Sequence, residues 1–397
     1  MEFRRVDRLP PYAFAEIDRV KAEERRAGRD VVDLAFGNPD LPSPPVAVEK
    51  LREAALNPRN HRYSVSRGLP NLRAAICELY EHRFGVTLDF ETQAITTIGA
   101  KEGLVHLIWT LADTGDTVVV PTPTYPIHRY APLIAGADVA EARLDTGDPV
   151  GAVAEAFAAA RSRPRAIVVS FPHNPTTATV SASDMQRLVD FAREEEVLVV
   201  HDFAYADLAF DGYRPPSILA ADGATDVAVE LYSLTKSFSM AGWRVGFALG
   251  NADALAALAR LKSYLDYGTF QPIQIASIVA LREAGAYSAE LCDVYRARRD
   301  ALCGGLARVG WPVTPPRATM FVWAPLPAAF ADATSQDAAL RLVREAGVAV
   351  SPGAGFGPGG EGHVRFALIE NEQRIGQAVR GIGRVLRSVE IEGAAPS

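Results

Sequence analysis

The sequence has few cysteines, no excess of basic residues and no long apolar run. Its three cysteines, Cys77, Cys292 and Cys303, are far apart and form no CxxC pair, so neither a disulfide framework nor a cysteine-based metal site is expected. Lys and Arg number 41 against 48 Asp and Glu, and the net charge of −7 argues against nucleic-acid binding. The sequence lacks an apolar signal segment and a run of about 18 apolar residues. These absences predict a cytoplasmic protein with no metal and no membrane attachment.

The 397 residues are 48% hydrophobic and 22% charged, which is enough apolar material for a large core. A chain of this length is expected to form two domains, at about 100–200 residues each. We place a large domain at residues 46–285. Residues 1–45 and 286–397 are expected to form an N-terminal segment and a smaller domain.

The central part of the chain alternates short β-branched segments with helical patterns. Runs such as Ile167-Val168-Val169 are continuously apolar, which is typical of strands buried on both faces of a mostly parallel sheet. The last third instead combines long helical stretches with a few short strands. We therefore expect an α/β large domain and a smaller α+β domain. The predicted strands are residues 94–97, 117–121, 138–143, 166–170, 197–202, 227–233 and 244–249, then 320–324, 348–351 and 364–367.

One stretch has a clear chemical signal, because Ser233-Leu234-Thr235-Lys236 is followed eight residues later by Arg244. A lysine directly after a buried strand is unusual unless its amine reacts or pairs. Such an amine could form a Schiff base with an aldehyde, while Arg244 and the nearby hydroxyls could bind a phosphate. Taken alone, the pair more often indicates a surface lysine at the junction of a strand and a loop.

Further segments follow in order along the chain. They are LAFGNPD (34–40), RYS (62–64), TIGAKEG (97–103), PTPTYP (121–126), FPHNPT (171–176), HDFAYADL (201–208), SPGAGFG (351–357) and HVRFA (363–367). Together with the lysine motif they resemble the fold type I aminotransferases, which use pyridoxal 5′-phosphate, and the resemblance covers nearly the whole chain. It implies a mostly parallel seven-stranded sheet between helices, with a smaller α+β domain.

The resemblance also implies a role for each matching residue around the cofactor ring. Lys236 would bind the cofactor covalently and then act as general acid and base. Asp202 would pair with the pyridine nitrogen, and Tyr205 and Asn174 would hydrogen-bond the ring hydroxyl. Tyr125 would stack on the ring.

At the cofactor phosphate, the resemblance implies a set of donors at the start of a helix and in the lysine motif. These are the backbone amides of Ala100 and Lys101, and the side chains of Ser233, Thr235 and Arg244. Tyr63 would reach the phosphate of the neighbouring subunit, which implies a homodimer with shared active sites. Arg365 would bind the substrate α-carboxylate, with Asn174 and the backbone of Gly37 also contacting the substrate.

Several stretches are most similar to the bacterial glutamate–pyruvate (alanine) aminotransferases, namely residues 7–12, 63–68, 261–270, 318–323 and 364–371. LL-diaminopimelate and methionine aminotransferases share part of this pattern. Two positions depart from it: Ser239 replaces a frequent asparagine, and Leu41 a smaller residue. The implied reaction is ping-pong transamination between an L-amino acid, such as alanine or glutamate, and a 2-oxo acid, such as 2-oxoglutarate or pyruvate.

Two other classes of function compete with transamination. An enzyme that catalyses β- or γ-elimination or replacement on the same scaffold would keep every cofactor-binding residue. A cofactor-sensing transcription regulator would need a DNA-binding module and a basic patch, and we expect neither, because the sequence starts directly with the aminotransferase pattern. His173 and His201 flank site residues but are expected to have no catalytic role, with His201 packed behind the site.

Overall fold

The computed structural model describes residues 2–3, 7–10, 14–144 and 147–394. Pro11 and Tyr12, which end the stretch at residues 7–12, lie outside the described residues. The described strands are β1 (Val32–Asp33), β2 (Ala94–Thr97), β3 (Thr117–Thr122), β4 (Asp138–Arg143), β5 (Pro164–Val169), β6 (Leu198–Asp202), β7 (Ala228–Ser233), β8 (Gly246–Gly250), β9 (Phe321–Pro325), β10 (Val348–Ala349), β11 (Ser351–Pro352) and β12 (His363–Ala367).

The helices lie between and around these strands. The α-helices are α1 (Ala15–Arg26), α2 (Pro45–Ala55), α3 (Pro70–Phe84), α4 (Ala100–Leu111), α5 (Pro126–Ala135), α6 (Pro149–Ala158), α7 (Ala182–Glu194), α8 (Ala224–Val227), α9 (Leu234–Ser237), α10 (Ala252–Leu265), α11 (Gln271–Glu283), α12 (Gly285–Arg308), α13 (Ser335–Arg341) and α14 (Glu372–Ala394). A π-helical turn, Leu342–Ala346, continues α13. Among the described residues, no helix combines the length and apolar character that crossing a membrane requires.

Local sequence explains where several helices begin. Helices α2, α3, α5 and α6 each start with a proline, whose fixed φ suits the first helical position and whose missing N–H is not needed there. Helix α7 begins with a capping box. The Ser181 hydroxyl accepts from the Asp184 amide at 3.2 Å, and the Asp184 carboxylate accepts from the Ser181 amide at 2.9 Å.

The central sheet has the strand order β2-β8-β7-β6-β5-β3-β4. Strand β8 is antiparallel to both of its neighbours, and the other pairs are parallel, which confirms the predicted α/β fold. Along β5, Ala166 and Val168 pack into one hydrophobic cluster, whereas Ile167 and Val169 pack into another on the opposite face. This two-sided burial is the reason for the continuous apolar run in the sequence.

One predicted strand, residues 348–351, is wrong. The structure divides it into β10, which pairs in parallel with β1, and β11, which pairs antiparallel with β12. The chain changes from one small sheet to another at Val350, so the hydrogen-bond partners of the two halves differ. Strand β12 also pairs with β9, giving a three-stranded sheet.

A third hydrophobic cluster lies outside the central sheet. It joins buried residues of the N-terminal part, such as Ile17 and Leu34, to residues of the last third, such as Leu302 and Phe366. The same cluster includes Tyr205 and Leu208, which follow β6. The domain division at residues 46 and 286 stays a prediction.

The topology places several chain segments at one edge of the central sheet. Strands β5, β6 and β7 are parallel, so the residues after their carboxyl ends meet at the same edge. Strand β2 is antiparallel to β8, which is antiparallel to β7, so β2 ends at this edge too. Helix α4, which follows β2, therefore points its N-terminus toward the same region.

Candidate active site

A cavity of about 630 Å³ opens at this edge of the sheet. It is lined by all but one of the residues to which the sequence analysis gives a role at the site. These are Gly37, Ala100, Lys101, Tyr125, Asn174, Asp202, Tyr205, Ser233, Thr235, Lys236, Arg244 and Arg365. The exception is Tyr63.

Lys236 lies on the short helix α9, directly after β7. The turn is stabilised by Ser233, whose hydroxyl accepts a hydrogen bond from the Thr235 amide at 3.2 Å. The Lys236 amine donates to the Gly37 carbonyl at 2.7 Å. Burial, together with the positive charges of Arg365 and Arg244, lowers the pKa of this amine to about 7. A substantial fraction is therefore uncharged near neutral pH and able to act as a nucleophile or base.

Asp202 ends β6 and is held by hydrogen bonds from two directions. Its Oδ2 lies 2.9 Å from His128 Nε2, and its Oδ1 accepts from the Ala204 amide at 3.2 Å. His128 is fully buried, and its Nδ1 lies 2.7 Å from the Thr124 hydroxyl. A carboxylate can only accept, so the proton between Asp202 and His128 is assigned to Nε2. This partner of Asp202 fixes the direction of the carboxylate.

Arg365 connects the small three-stranded sheet to the cavity. Its Nη1 donates to Asn174 Oδ1 at 2.7 Å, and its guanidinium carbon lies 4.0 Å from the centroid of the Phe321 ring and 4.6 Å from that of Phe356. Because Arg365 takes the Asn174 oxygen, the amide nitrogen of Asn174 faces the Tyr205 hydroxyl, at 3.5 Å. Burial raises the pKa of Tyr205 above its ordinary value, so its hydroxyl keeps its proton.

The start of helix α4 forms the other end of the cavity. Gly99 precedes it with φ +80°, and a Cβ there would clash with the Arg244 guanidinium. Arg244 Nη1 donates to the Ala241 carbonyl at 3.1 Å and Nη2 to the Ile98 carbonyl at 3.4 Å. The first amides of a helix have no acceptor within it. A guanidinium and the positive end of a helix thus meet in one place, which suits an anion such as phosphate.

Comparison with known proteins agrees with this arrangement. The family model for aminotransferase class I and II matches residues 29–382. The chain belongs to the class I and II aminotransferases. Enzymes of this family use pyridoxal 5′-phosphate.

The similarity to individual relatives and solved structures extends over almost the whole length of this aminotransferase. The chain is 48% identical over 387 residues to the glutamate–pyruvate aminotransferase AlaC of Escherichia coli, covering 97% of this chain and 94% of the relative. It is 42% identical to an LL-diaminopimelate aminotransferase of Desulforudis audaxviator, covering 97% and 99%. A single mutant of the Thermus thermophilus aspartate aminotransferase superposes with a TM-score of 0.89 at 29% identity, covering 97% and 99%.

Tyr63 of the aminotransferase is not in the cavity of its own chain. It is 85% exposed, and its ring centroid lies 4.8 Å from that of Tyr267. Tyr267 and Phe270, which line the same surface depression as Tyr63, are also exposed, at 59% and 46%. Contiguous exposed aromatic side chains are typical of a protein–protein interface. The role expected for Tyr63 therefore requires a second chain.

The sequence did not single out His128 of the aminotransferase. Its only local signal is the position three residues after Tyr125, on the same side of α5, and this spacing alone does not indicate a carboxylate partner. His201 is fully buried, as expected, and its Nδ1 lies 2.7 Å from Glu230 Oε2. Burial lowers the pKa of His173 to about 3, so that residue is neutral.

A group of potential metal ligands lies outside the cavity. Glu102, His106 and Asp266 bring their ligand atoms within 4.8 Å of one another. Between them lies the buried amine of Lys262, which donates to Glu102 Oε1 at 2.9 Å and to Asp266 Oδ2 at 3.0 Å. An ammonium group therefore already neutralises these carboxylates.

The two positions that depart from the related sequences contact each other. The hydroxyl of Ser239 donates to the carbonyl of Leu41, and the hydroxyl of Ser43 donates to the carbonyl of Ser239 at 3.0 Å. Ser43 and Ser239 both line the cavity of the aminotransferase. The sequence did not indicate that the two positions interact.

Proposed function

We propose that this aminotransferase binds pyridoxal 5′-phosphate in the 630 Å³ cavity and exchanges an amino group between an L-amino acid and a 2-oxo acid. We further propose alanine or glutamate as amino donor, and pyruvate or 2-oxoglutarate as acceptor. The observation that carries the proposal is the Lys236 amine, whose pKa is lowered to about 7. It lies in one cavity with a carboxylate, an arginine on β12 and an anion-binding helix start.

The residues of the cavity fit this cofactor in charge and in shape. Ala100, Lys101, Ser233, Thr235 and Arg244 would hold the phosphate, at the point where Gly99 leaves no room for a side chain. Tyr125 would cover the ring, and Asn174 and Tyr205 would contact its hydroxyl. Asp202 would hold a proton on the ring nitrogen, because His128 keeps its carboxylate in place at 2.9 Å.

When bound, pyridoxal 5′-phosphate supplies an acceptor for the electrons that remain when the substrate Cα–H bond breaks. Lys236 would take the proton from Cα, which requires its uncharged form, and its lowered pKa provides that form near neutral pH. The Gly37 carbonyl accepts a hydrogen bond from the free amine at 2.7 Å. Arg365 would bind the substrate α-carboxylate through its two terminal nitrogens and so fix the direction of Cα.

The substrate assignment is supported by the relatives. The relative from Escherichia coli is named for glutamate and pyruvate, at 48% identity, and the relative from Desulforudis audaxviator for LL-diaminopimelate, at 42%. Because the first is more similar, we favour the small and dicarboxylic substrates, and LL-diaminopimelate is the competing donor in the test below.

The test begins with the purified protein and its cofactor. Visible absorption should show bound cofactor, and borohydride should attach it to the peptide that contains Lys236. L-alanine alone should convert the cofactor to pyridoxamine phosphate, and pyruvate or 2-oxoglutarate should reverse this. Lys236→Ala should lose turnover, whereas Lys50→Ala, a surface control, should keep it.

A panel of amino donors against both acceptors then identifies the substrates. Release of ammonia or loss of a side-chain fragment, without pyridoxamine phosphate, would assign the protein to elimination chemistry. Turnover with LL-diaminopimelate well above that with alanine and glutamate would replace the proposed donors. Label on a peptide without Lys236 would refute the role of this lysine.

We also propose that the enzyme acts as a homodimer in the cytoplasm. The support for the dimer is the exposed aromatic patch formed by Tyr63, Tyr267 and Phe270. In a dimer this patch would be covered, and Tyr63 could then reach the phosphate site of the partner. Sedimentation analysis at micromolar concentration tests this, and a monomer would contradict it.

A further inference from the structure

A segment without helix or strand, residues 36–43, runs past the substrate side of the cavity, and we name it the strap. Five of its residues line the cavity: Phe36, Gly37, Asn38, Pro39 and Ser43. Gly37 packs so closely on the Phe321 ring that a Cβ would lie 2.6 Å from it. The position of the strap therefore sets the shape of the wall that faces a substrate.

Hydrogen bonds hold the strap at several points. At its start, the Gly37 carbonyl accepts from the Lys236 amine at 2.7 Å. In the middle, Asp40 accepts two bonds from Arg298, each 2.7 Å. At the end of the strap, Ser239 makes two hydrogen bonds. Its hydroxyl donates to the Leu41 carbonyl, and its backbone carbonyl accepts from the Ser43 hydroxyl.

The backbone of Ser239 adds a second observation. Its φ is +51°, in the left-handed region that glycine and asparagine adopt more easily than serine. The residue is buried, at 7% exposure. The backbone conformation therefore does not explain why serine occupies this position. The hydrogen bond from its hydroxyl to the strap does.

We propose that Ser239 is a positioning residue that keeps the strap against the substrate, an inference that rests on the proposed function. Lys236 must release the Gly37 carbonyl when its amine binds the cofactor, and the strap then loses its first anchor. From then on, the two hydrogen bonds to Ser239, three residues beyond the lysine, hold the end of the strap. Loss of the Ser239 hydroxyl should weaken substrate binding more than it slows the chemical step.

The variant Ser239→Gly distinguishes a role in positioning the strap from a role in the stability of the fold. Glycine accepts a φ of +51° without strain, and this gain offsets the stability lost with the hydrogen bond, so the melting temperature should stay close to that of the wild type. The lost hydrogen bond should raise KM for donor and acceptor by roughly three- to tenfold. We expect kcat to stay within about twofold, because the groups that touch the reacting atoms are unchanged.

Two further variants complete the set. Ser43→Ala removes the second bond and should have the same effect on KM, and the double variant should exceed either single one. Ser263→Ala is the matched control, since that hydroxyl donates to the Arg260 carbonyl within α10, at 2.7 Å and away from the cavity. It should behave as the wild type.

Hydrogen–deuterium exchange provides a readout that does not depend on turnover. Ser239→Gly should speed exchange in the peptide spanning residues 36–43 and leave the peptides of the central sheet unchanged. Unchanged KM and unchanged exchange in the strap would overturn the proposal. So would a rise in KM that comes with a lower melting temperature and faster exchange throughout. If the wild type transaminates no substrate, the proposed function fails, and the exchange experiment still decides whether Ser239 holds the strap.

Discussion

Because of the Lys236 amine, the free energy of unfolding of the cofactor-free protein should rise as the pH rises above 7. The perturbation is Lys236→Met, which keeps the length of the side chain and removes its charge. In the folded protein, burial and then the charges of Arg365 and Arg244 lower the pKa of the amine from 10.5 to about 7. Below pH 7 the amine is charged in both states, and its charge destabilises the folded one.

The magnitude follows from this shift. One pKa unit corresponds to about 1.4 kcal/mol, so the charged amine costs the folded protein up to about 5 kcal/mol. Between pH 7 and 10.5 the unfolded chain binds more protons at this site than the folded chain, so the free energy of unfolding rises with pH. From pH 6 to pH 9 this gain is about 2.5 kcal/mol. Methionine lacks this dependence.

The assay is urea unfolding of cofactor-free protein, followed by tryptophan fluorescence at one protein concentration. Lys236→Met should be more stable than the wild type at pH 6, and this advantage should shrink by about 2.5 kcal/mol by pH 9. Lys50→Met, at the surface, should show a constant difference from the wild type. An advantage of Lys236→Met that stays constant over this range would refute the reasoning, because it would mean that the amine titrates alike in both states.

Three other substitutions test the remaining groups. Asp202→Asn keeps the shape and removes the charge, so turnover should fall roughly 10- to 100-fold with little change in melting temperature; turnover as in the wild type would contradict the role of this carboxylate. Arg365→Lys loses the two-point contact, so the transition-state stabilisation measured by kcat/KM should fall by about 2 kcal/mol for amino acids and 2-oxo acids alike. A loss confined to one of the two substrates would count against a shared carboxylate site. Mixed Tyr63→Phe and Lys236→Ala subunits should form hybrids more active than either parent, and no gain, with hybrids verified by mass spectrometry, would mean that each chain builds its own phosphate site.

The central sheet could be predicted from sequence because its signal is local. Strands buried on both faces need apolar residues at every position, and runs such as Ile167-Val168-Val169 meet that need without reference to the rest of the chain. Residues 348–351 carry a similar apolar signal, yet β10 and β11 belong to different sheets. Apolar runs indicate burial but not the partner strand, and the partner decides where a strand ends.

The cavity residues could be predicted only because they occur in short segments whose order resembles a known family. Contacts between segments have no such signal. The bond from His128 to Asp202 joins residues 74 positions apart, and that from Ser239 to Leu41 spans 198. Tyr63 is a different case, because the site expected for it lies on a second chain. What the sequence could not supply is thus the pairing of side chains, not their identity.

The pairing of side chains matters because residues of two different sheets meet in the cavity. Asp202 ends β6 and Lys236 follows β7 of the central sheet, whereas Arg365 lies on β12 of the three-stranded sheet. Asn174 joins the two, since its oxygen accepts from Arg365 at 2.7 Å and its nitrogen faces Tyr205 at 3.5 Å. The distance between Arg365, proposed to bind the substrate carboxylate, and the Lys236 amine therefore depends on how the sheets pack. Substitutions in the hydrophobic cluster that joins Tyr205 to Phe366 should change substrate affinity without touching the substrate.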